Sequence, residues 1–174
     1  MERVKGMRGM RQSSRKTDYG KAREILAMAE YGVLSTTCDD GLPYGVPLSF
    51  VLTGFSIYFH CAPEGQKLDN IMHDSRACLT AVAAAKNLGN RLSMAYESAM
   101  AFGTVRPVYP EDERQAALRL LCDKYAPEMP QAARNAYLKK QGPNTIVLRM
   151  DVEYIVGKAA RTEELQRIQK DPAE

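Results

Sequence analysis

The chain has 174 residues, 45% of them hydrophobic and 26% charged, the balance of one ordinary globular domain that buries its own core. Its net charge of +3 belongs to the first stretch, where Arg3, Lys5, Arg8, Arg11, Arg15 and Lys16 face Glu2 alone, so the remainder is close to neutral. No run of about twenty apolar residues occurs, which excludes a membrane-spanning helix. The basic stretch also lacks the interleaved aromatics of a reader of bases, so neither a membrane nor a nucleic acid is expected as a partner.

Residues 1–17 read as a basic, flexible arm. From 20 to 30, Ala22, Ile25, Leu26 and Ala29 recur at helical spacing behind a capping Thr17 or Asp18, which predicts an amphipathic helix. The stretch from Tyr31 to Thr37 is β-branched and aromatic, stops at Asp39-Asp40-Gly41 and resumes from Pro43 to Leu52, a hairpin signal. Asp39 and Asp40 serve the turn before they form an acid pair. Pro43 and Pro47 each remove a ladder donor from the second strand, so one of its sides cannot be fully paired.

Ser56 to Cys61 forms a third strand, and a short helix over about 66–73 places Leu68, Ile71 and Met72 on one face. Strands over 76–85 and 94–105 follow, separated by a polar loop, and Gly103 marks a bulge or a close backbone approach. Past Pro110, Glu111, Asp112 and Glu113 suit the positive end of a helix whose apolar stripe is Leu118, Leu121, Cys122 and Tyr125. A further helix over about 130–140 precedes a last strand from Thr145 to Gly157, bent near Asp151, and residues 159–174 read as a charged tail. Six strands joined by hairpins, with helices inserted at their ends, predict a mainly-β or α+β domain: a six-stranded antiparallel split barrel with flanking helices over residues 18–158.

The residue inventory narrows the chemistry. Cys38, Cys61, Cys78 and Cys122 are widely spaced with no C-x-x-C pair, which fits a reduced, cytoplasmic setting; Cys61 and Cys78, like Met94 and Met100, read as core. Only His60 and His73 are available, and Cys61 follows His60 directly and so points to the other strand face, so no metal site is expected. No G-x-S-x-G elbow, P-loop or G-x-G-x-x-G occurs. What stands out is Tyr58 to Ile71, where an aromatic strand carries His60 to a Pro63/Gly65 turn that opens into a helix with Lys67 in its first turn. Unpaired N–H groups and the helix dipole favour an anion at such a start, and Lys67 adds a full charge there.

Five stretches together carry a resemblance: Glu30 to Thr36, Asp40 to Phe50, Ile57 to Ala62, Gly65 to Ile71, and Tyr96-Glu97-Ser98 with Phe102-Gly103. In order and spacing they resemble the FMN-binding split-barrel superfamily of pyridoxamine 5′-phosphate oxidase, specifically its nitroimidazole-resistance, nitroreductase-like branch, over about Asp18 to Lys158. The resemblance implies a homodimer with FMN at the subunit interface. Carried over residue by residue, it implies that Val46, Pro47, Leu48 and Ser49 line the isoalloxazine. Phe59, His60 and Cys61 would then run along the ribityl and ring edge, Lys67 meet the phosphate with Gln66 beside it among the cofactor-binding residues, and Tyr96 and Ser98 reach in from the partner chain. His60 is the candidate proton donor, an imidazole having an intrinsic pKa suited to that task.

The arginine-rich pattern and C-terminal segment with which the true oxidases grip a substrate phosphate are missing, which argues against vitamin B6 oxidation. The resemblance thus implies an FMN-dependent, NAD(P)H-driven reductase of small, electron-poor, nitroaromatic-like molecules. The alternatives are a flavin- or haem-binding module without turnover of its own, and an oxidase like the family's namesake.

Overall fold

Asp18 accepts a hydrogen bond from the Lys21 N–H at 2.8 Å and so caps α1 (Tyr19–Met28). In the computed structural model, which describes residues 8–170, a 3-10 turn at Ser13–Arg15 and an antiparallel bridge between Lys16 and Lys158 precede this cap. The inner end of the basic arm is therefore pinned; its first seven residues, and 171–174 of the expected tail, lie outside the described residues. The predicted helical spacing holds, because Ala22, Ile25, Leu26 and Ala29 are all buried. Lys21, on the same helix, reaches the largely buried Glu97 at 3.0 Å.

Seven strands follow: β1 (Gly32–Thr37), β2 (Pro43–Leu48), β3 (Phe50–Thr53), β4 (Ser56–Cys61), β5 (Arg76–Leu88), β6 (Ser93–Pro107) and β7 (Ile146–Ala160). All pair antiparallel in one sheet, in the order β2-β1-β5-β6-β7-β4-β3. Helix α2 (Gln66–His73) links β4 to β5; α3 (Glu111–Tyr125) and α4 (Gln131–Gln141) lie between β6 and β7; α5 (Thr162–Lys170) follows β7. The expected antiparallel α+β architecture with flanking helices is present.

The expected count of six strands is corrected to seven, and the cause is Ser49. Pro43 to Leu52 is not one strand: its first half pairs with β1, with Leu34 opposite Val46, and its second half pairs with β4, with Phe50 opposite Phe59. As a result β2 and β3 occupy the two edges of the sheet although one residue separates them in the chain. The sheet must therefore roll until its edges meet at Ser49, yet no ladder joins β2 to β3, and it stays open along that seam. Both prolines sit on an edge strand, where a missing donor costs least.

The core fills the inside of this roll. Phe50, Phe59, Ile57, Leu34, Leu79, Leu148 and Met150 are wholly buried there together with Ile25 and Leu26 of α1. Each side chain of that size contributes about 1.5–3 kcal/mol by leaving water. The inner face of β6 carries Ala95, Ala99 and Ala101, small enough to let α1 approach. At Gly157 of β7 the approach is closest, since a Cβ there would lie 2.8 Å from that of Ala22.

Gly103 is the predicted close approach. Register slips between Phe102 opposite Tyr154 and Gly103 opposite Val152, leaving Glu153 as the bulged residue of β7. A Cβ on Gly103 would stand 2.0 Å from the Asp151 carbonyl oxygen. The bend expected near Asp151 is this bulge.

Candidate functional site

β4 sorts its residues by face. Phe59 and Cys61 look into the main core, Phe59 with no exposure at all, while Tyr58 packs on the other side in a smaller cluster with Val108, Ala117, Leu118, Leu138 and Val147. His60 shares the face of Tyr58, toward α3 and α4, and is exposed. Pairing with β3 ends at Phe59, because the chain turns away at Ser49; beyond it, His60 and Cys61 pair only with β7, at Val147 and Ile146. The strand thus has an open backbone edge at its last two residues.

Two residues beyond the turn, α2 starts at Gly65, whose φ of +135° is a glycine conformation and which has no side chain to cap the helix. The N–H groups of Leu68 and Asp69 return to the Gly65 carbonyl, which leaves those of Gln66 and Lys67 outside the helix's own hydrogen bonds. Lys67 is half-buried and close enough to Cys61 for its charge to matter: burial pushes the Cys61 thiol up, and Lys67 opposes that shift. The helix is held by a chain of amides. Gln66 Nε2 donates to Asn70 Oδ1 at 2.8 Å, and Asn70 Nδ2 donates to Thr36 Oγ1 at 3.0 Å, with Asn70 1% exposed.

On the opposite edge, Val46 and Leu48 of β2 are half-buried against the core and Pro47 is exposed. Ser49 joins His60 in lining a cavity of about 320 Å³ beneath α3 and α4. Its walls are Leu118, Leu121, Cys122 and Tyr125 of α3, and Arg134, Tyr137 and Leu138 of α4. Sequence reasoning took the α3 stripe as packing and missed that α3 and α4 roof a cavity; the signal present was a stripe running to Tyr125 beyond what one strand face could cover. A larger depression of about 640 Å³ on the outer side of the same helices is lined by Gln115, Arg119, Gln131, Asn135, Leu138 and Lys139. It touches no strand and no candidate residue, so the smaller cavity is the functional candidate.

Burial pushes the Cys122 thiol up, Arg134 pulls it back and Asp123 raises it again. The thiol stays protonated at neutral pH and is a poor nucleophile.

Tyr96 and Ser98 lie elsewhere. His60 is opposite Val147 of β7 and Tyr96 is opposite Ala160, thirteen residues further along that strand. At about 3.3 Å per residue, that is roughly 40 Å measured along the bent strand. Ser98 Oγ turns to the Lys158 carbonyl at 3.4 Å, and Lys158 Nζ sits 5.4 Å from the centre of the Tyr96 ring. The Tyr96 hydroxyl is buried with no partner in full hydrogen-bond geometry, Lys158 and Arg15 being the nearest donors. Burial pushes the phenol up, yet hydrogen bonding and then charge from Lys158 and Arg15 together hold it below its ordinary value.

Among the described residues no three His, Cys, Asp or Glu side chains are grouped to hold a metal, and no helix is long and apolar enough to cross a membrane.

The sequence profile of the Pyridoxamine 5′-phosphate oxidase family matches residues 18–159. Similar solved structures include a provisionally named 5-nitroimidazole antibiotic resistance protein from Bacteroides thetaiotaomicron, 25% identical, covering 81% of this chain and 83% of that one with a TM-score of 0.67. The flavocytochrome Anf3 from Azotobacter vinelandii is 18% identical over 90% of this chain and 74% of its own, with a TM-score of 0.71. An FAD and heme binding protein from Mycobacterium smegmatis is also 18% identical, over 88% and 80%, with a TM-score of 0.68. No curated protein matches the chain.

Proposed function

The chain belongs to the pyridoxamine 5′-phosphate oxidase family, and from that premise we propose that it is an FMN-binding homodimer that reduces small, flat, electron-poor aromatic molecules with electrons from NAD(P)H. The observation that carries this reading is the open seam. Ser49, the free edge of β4 at His60 and Cys61, and Lys67 at an uncapped helix start beside Cys61 together offer a ring surface and a phosphate seat.

These residues fit a flavin mononucleotide. Lys67 and the N–H groups of Gln66 and Lys67 hold the phosphomonoester. The outer edge of β2, from Val46 to Ser49, is unpaired and offers backbone groups to the polar rim of the ring. Phe59 supports that surface from beneath, through the core, and Tyr96 and Ser98 belong to the site formed with a second chain. When bound, the flavin supplies the two-electron transfer. His60, at the mouth of the α3–α4 cavity, gives a proton from a ring nitrogen to the molecule being reduced.

The structural neighbours named as a flavocytochrome and as an FAD and heme binding protein favour one rival, a binding module without turnover. The spectrum of the purified protein separates the readings. Flavin bands bleached by NADPH or NADH and restored by a nitroaromatic compound support the reductase. Bleaching that no acceptor reverses supports the module, and a colourless protein that takes up no added FMN sinks both. Chromatography of the released cofactor distinguishes FMN from FAD. Lys67→Ala should weaken FMN retention by about 1.5–3 kcal/mol, as for a hydrogen bond to a charged group.

A further inference from the structure

The outer face of β6 and β7 carries an apolar trough on the side away from the core. Met100 and Phe102 alternate with the buried Ala99 and Ala101 of β6, and they stand opposite Val156 and Tyr154 of β7. The Phe102 and Tyr154 ring centres are 6.2 Å apart. Arg8, Met10 and Lys16 of the basic arm complete the lining of a groove of about 350 Å³. Both cations are exposed, neither is ion-paired among the described residues, and no acidic side chain among those residues lines the groove. Lys16 bridges Lys158, just past Val156 on β7, which sets a cation at one end of the apolar floor.

We propose that this groove binds a medium-chain carboxylate, a single alkyl chain with one anionic end. A thioether, two rings and a valine make a floor that takes up methylenes. The rim selects the head group by charge: Lys16 and Arg8 attract a carboxylate, gain nothing from a neutral alcohol and repel an ammonium. Length agrees with this arrangement. From Tyr154 to Lys158 the extended strand runs roughly 13 Å, the reach of a medium-length alkyl chain laid from the ring pair to the Lys16 end. The groove shares no residue with the seam at Ser49, His60 and Lys67, so the assignment stands apart from the flavin reading. Tyr96 and Ser98 lie on the same face of β6 but outside the groove.

Calorimetric titration of the full-length protein with octanoate, butanoate, 1-octanol and octylammonium tests this. Octanoate should bind roughly tenfold or more tightly than butanoate, because its longer chain takes more methylenes out of water. It should exceed the alcohol and the ammonium by a similar factor, since they lack the charge that the rim selects. Lys16→Gln combined with Arg8→Gln should erase the preference for octanoate over octanol. Met100→Asp puts a carboxylate on the floor and should weaken octanoate about tenfold or more. Met100 is 36% exposed, so the thermal midpoint of that variant should stay near the wild type, and the double glutamine variant provides a second reading if it does not. Lys67→Ala should leave octanoate binding as it was. Equal affinity for octanoate and butanoate, a carboxylate preference that survives the double glutamine variant, or octanoate binding lost in Lys67→Ala overturns the proposal. A protein that takes up no FMN yet binds octanoate in this pattern would sink the flavin reading alone, and a yellow protein indifferent to octanoate would sink this one alone.

Discussion

Lys124 Nζ donates to the Phe50 carbonyl at 3.0 Å and stands 4.2 Å from the centre of the Phe50 ring, one residue past the point where the two edges of the sheet meet. The same ammonium donates to the Ala29 carbonyl at 2.8 Å. Tyr125 completes the clamp, its hydroxyl accepting from the Phe50 N–H at 2.8 Å and donating its one proton to the carbonyl of Glu30 or Phe50. The end of α3 thus supplies the bonds that a β2–β3 ladder would have made. A rolled sheet open at one seam is held there by a helix.

Burial holds the Lys124 amine below its ordinary value of 10.5. Between that depressed value and 10.5 the unfolded chain binds a proton that the folded chain has released, so Lys124 makes stability rise with pH across that window. Lys124→Met should lose about 1–3 kcal/mol at neutral pH, because the Ala29 carbonyl is left without its donor. It should also lose this alkaline rise. Denaturant unfolding of both proteins at neutral pH and near pH 10 reads both effects, and an equal pH response in the two would refute the role given to the amine.

Asn70 links α2 to β1 through Thr36 and orients Gln66 at the start of the helix. Asn70→Leu leaves the Thr36 hydroxyl without its donor in a nearly sealed space, while the exposed Gln66 amide turns to water, and a loss of about 1–3 kcal/mol in stability is expected. Because α2 carries Lys67, the FMN dissociation constant should rise as well, and by more than for Gln66→Ala. Equal effects of the two substitutions on FMN binding would mean that Asn70 does not position the phosphate seat.

Some of this was legible in the residues and some was not, for physical reasons. Pro43 and Pro47 forbid a doubly paired strand, and β2 is an edge. Gly103 called for a close approach, and the Asp151 carbonyl makes it. The break at Ser49 left little mark, because the chain stays extended on both sides of it and the change is one of distant partners, β1 for β4. No local pattern marks Asn70, and only the placement of Thr36 beneath it makes it an anchor. The separation of Tyr96 from His60 is likewise a matter of register along β7, which no local pattern encodes.

At Gly103 the obstacle to a side chain is backbone, not a flexible tip. Gly103→Ala must push β7 aside at Asp151, and a loss of about 1–3 kcal/mol is expected from overpacking alone. Gly89→Ala is the control, since nothing lies within 4 Å of a Cβ there, and it should stay within about 0.5 kcal/mol of the wild type. Thermal unfolding of the two variants side by side decides the matter; similar midpoints would show that the bulge is not as tight as its geometry implies.

Glu113 of α3 joins the helix to the sheet, accepting from Tyr58 Oη at 2.9 Å and pairing with Arg149 at 3.0 Å. Arg149 and then Tyr58 hold the Glu113 carboxyl below its ordinary 4.5. The sign follows directly: Glu113 contributes stability in full above 4.5, and that contribution is lost as pH falls through the depressed folded value. Burial, then Glu113, pushes the Tyr58 phenol above its ordinary 10.0. Its contribution is present below 10.0 and is lost as pH rises through the raised folded value. Glu113→Gln should therefore cost about 1–2 kcal/mol at pH 7 and flatten the fall in stability below pH 4.5. Tyr58→Phe should leave that acid limb largely in place and flatten the alkaline one. Urea midpoints measured from pH 3 to 11 test the pair, and an acid limb that is unchanged in Glu113→Gln would assign the acid sensitivity to other carboxylates.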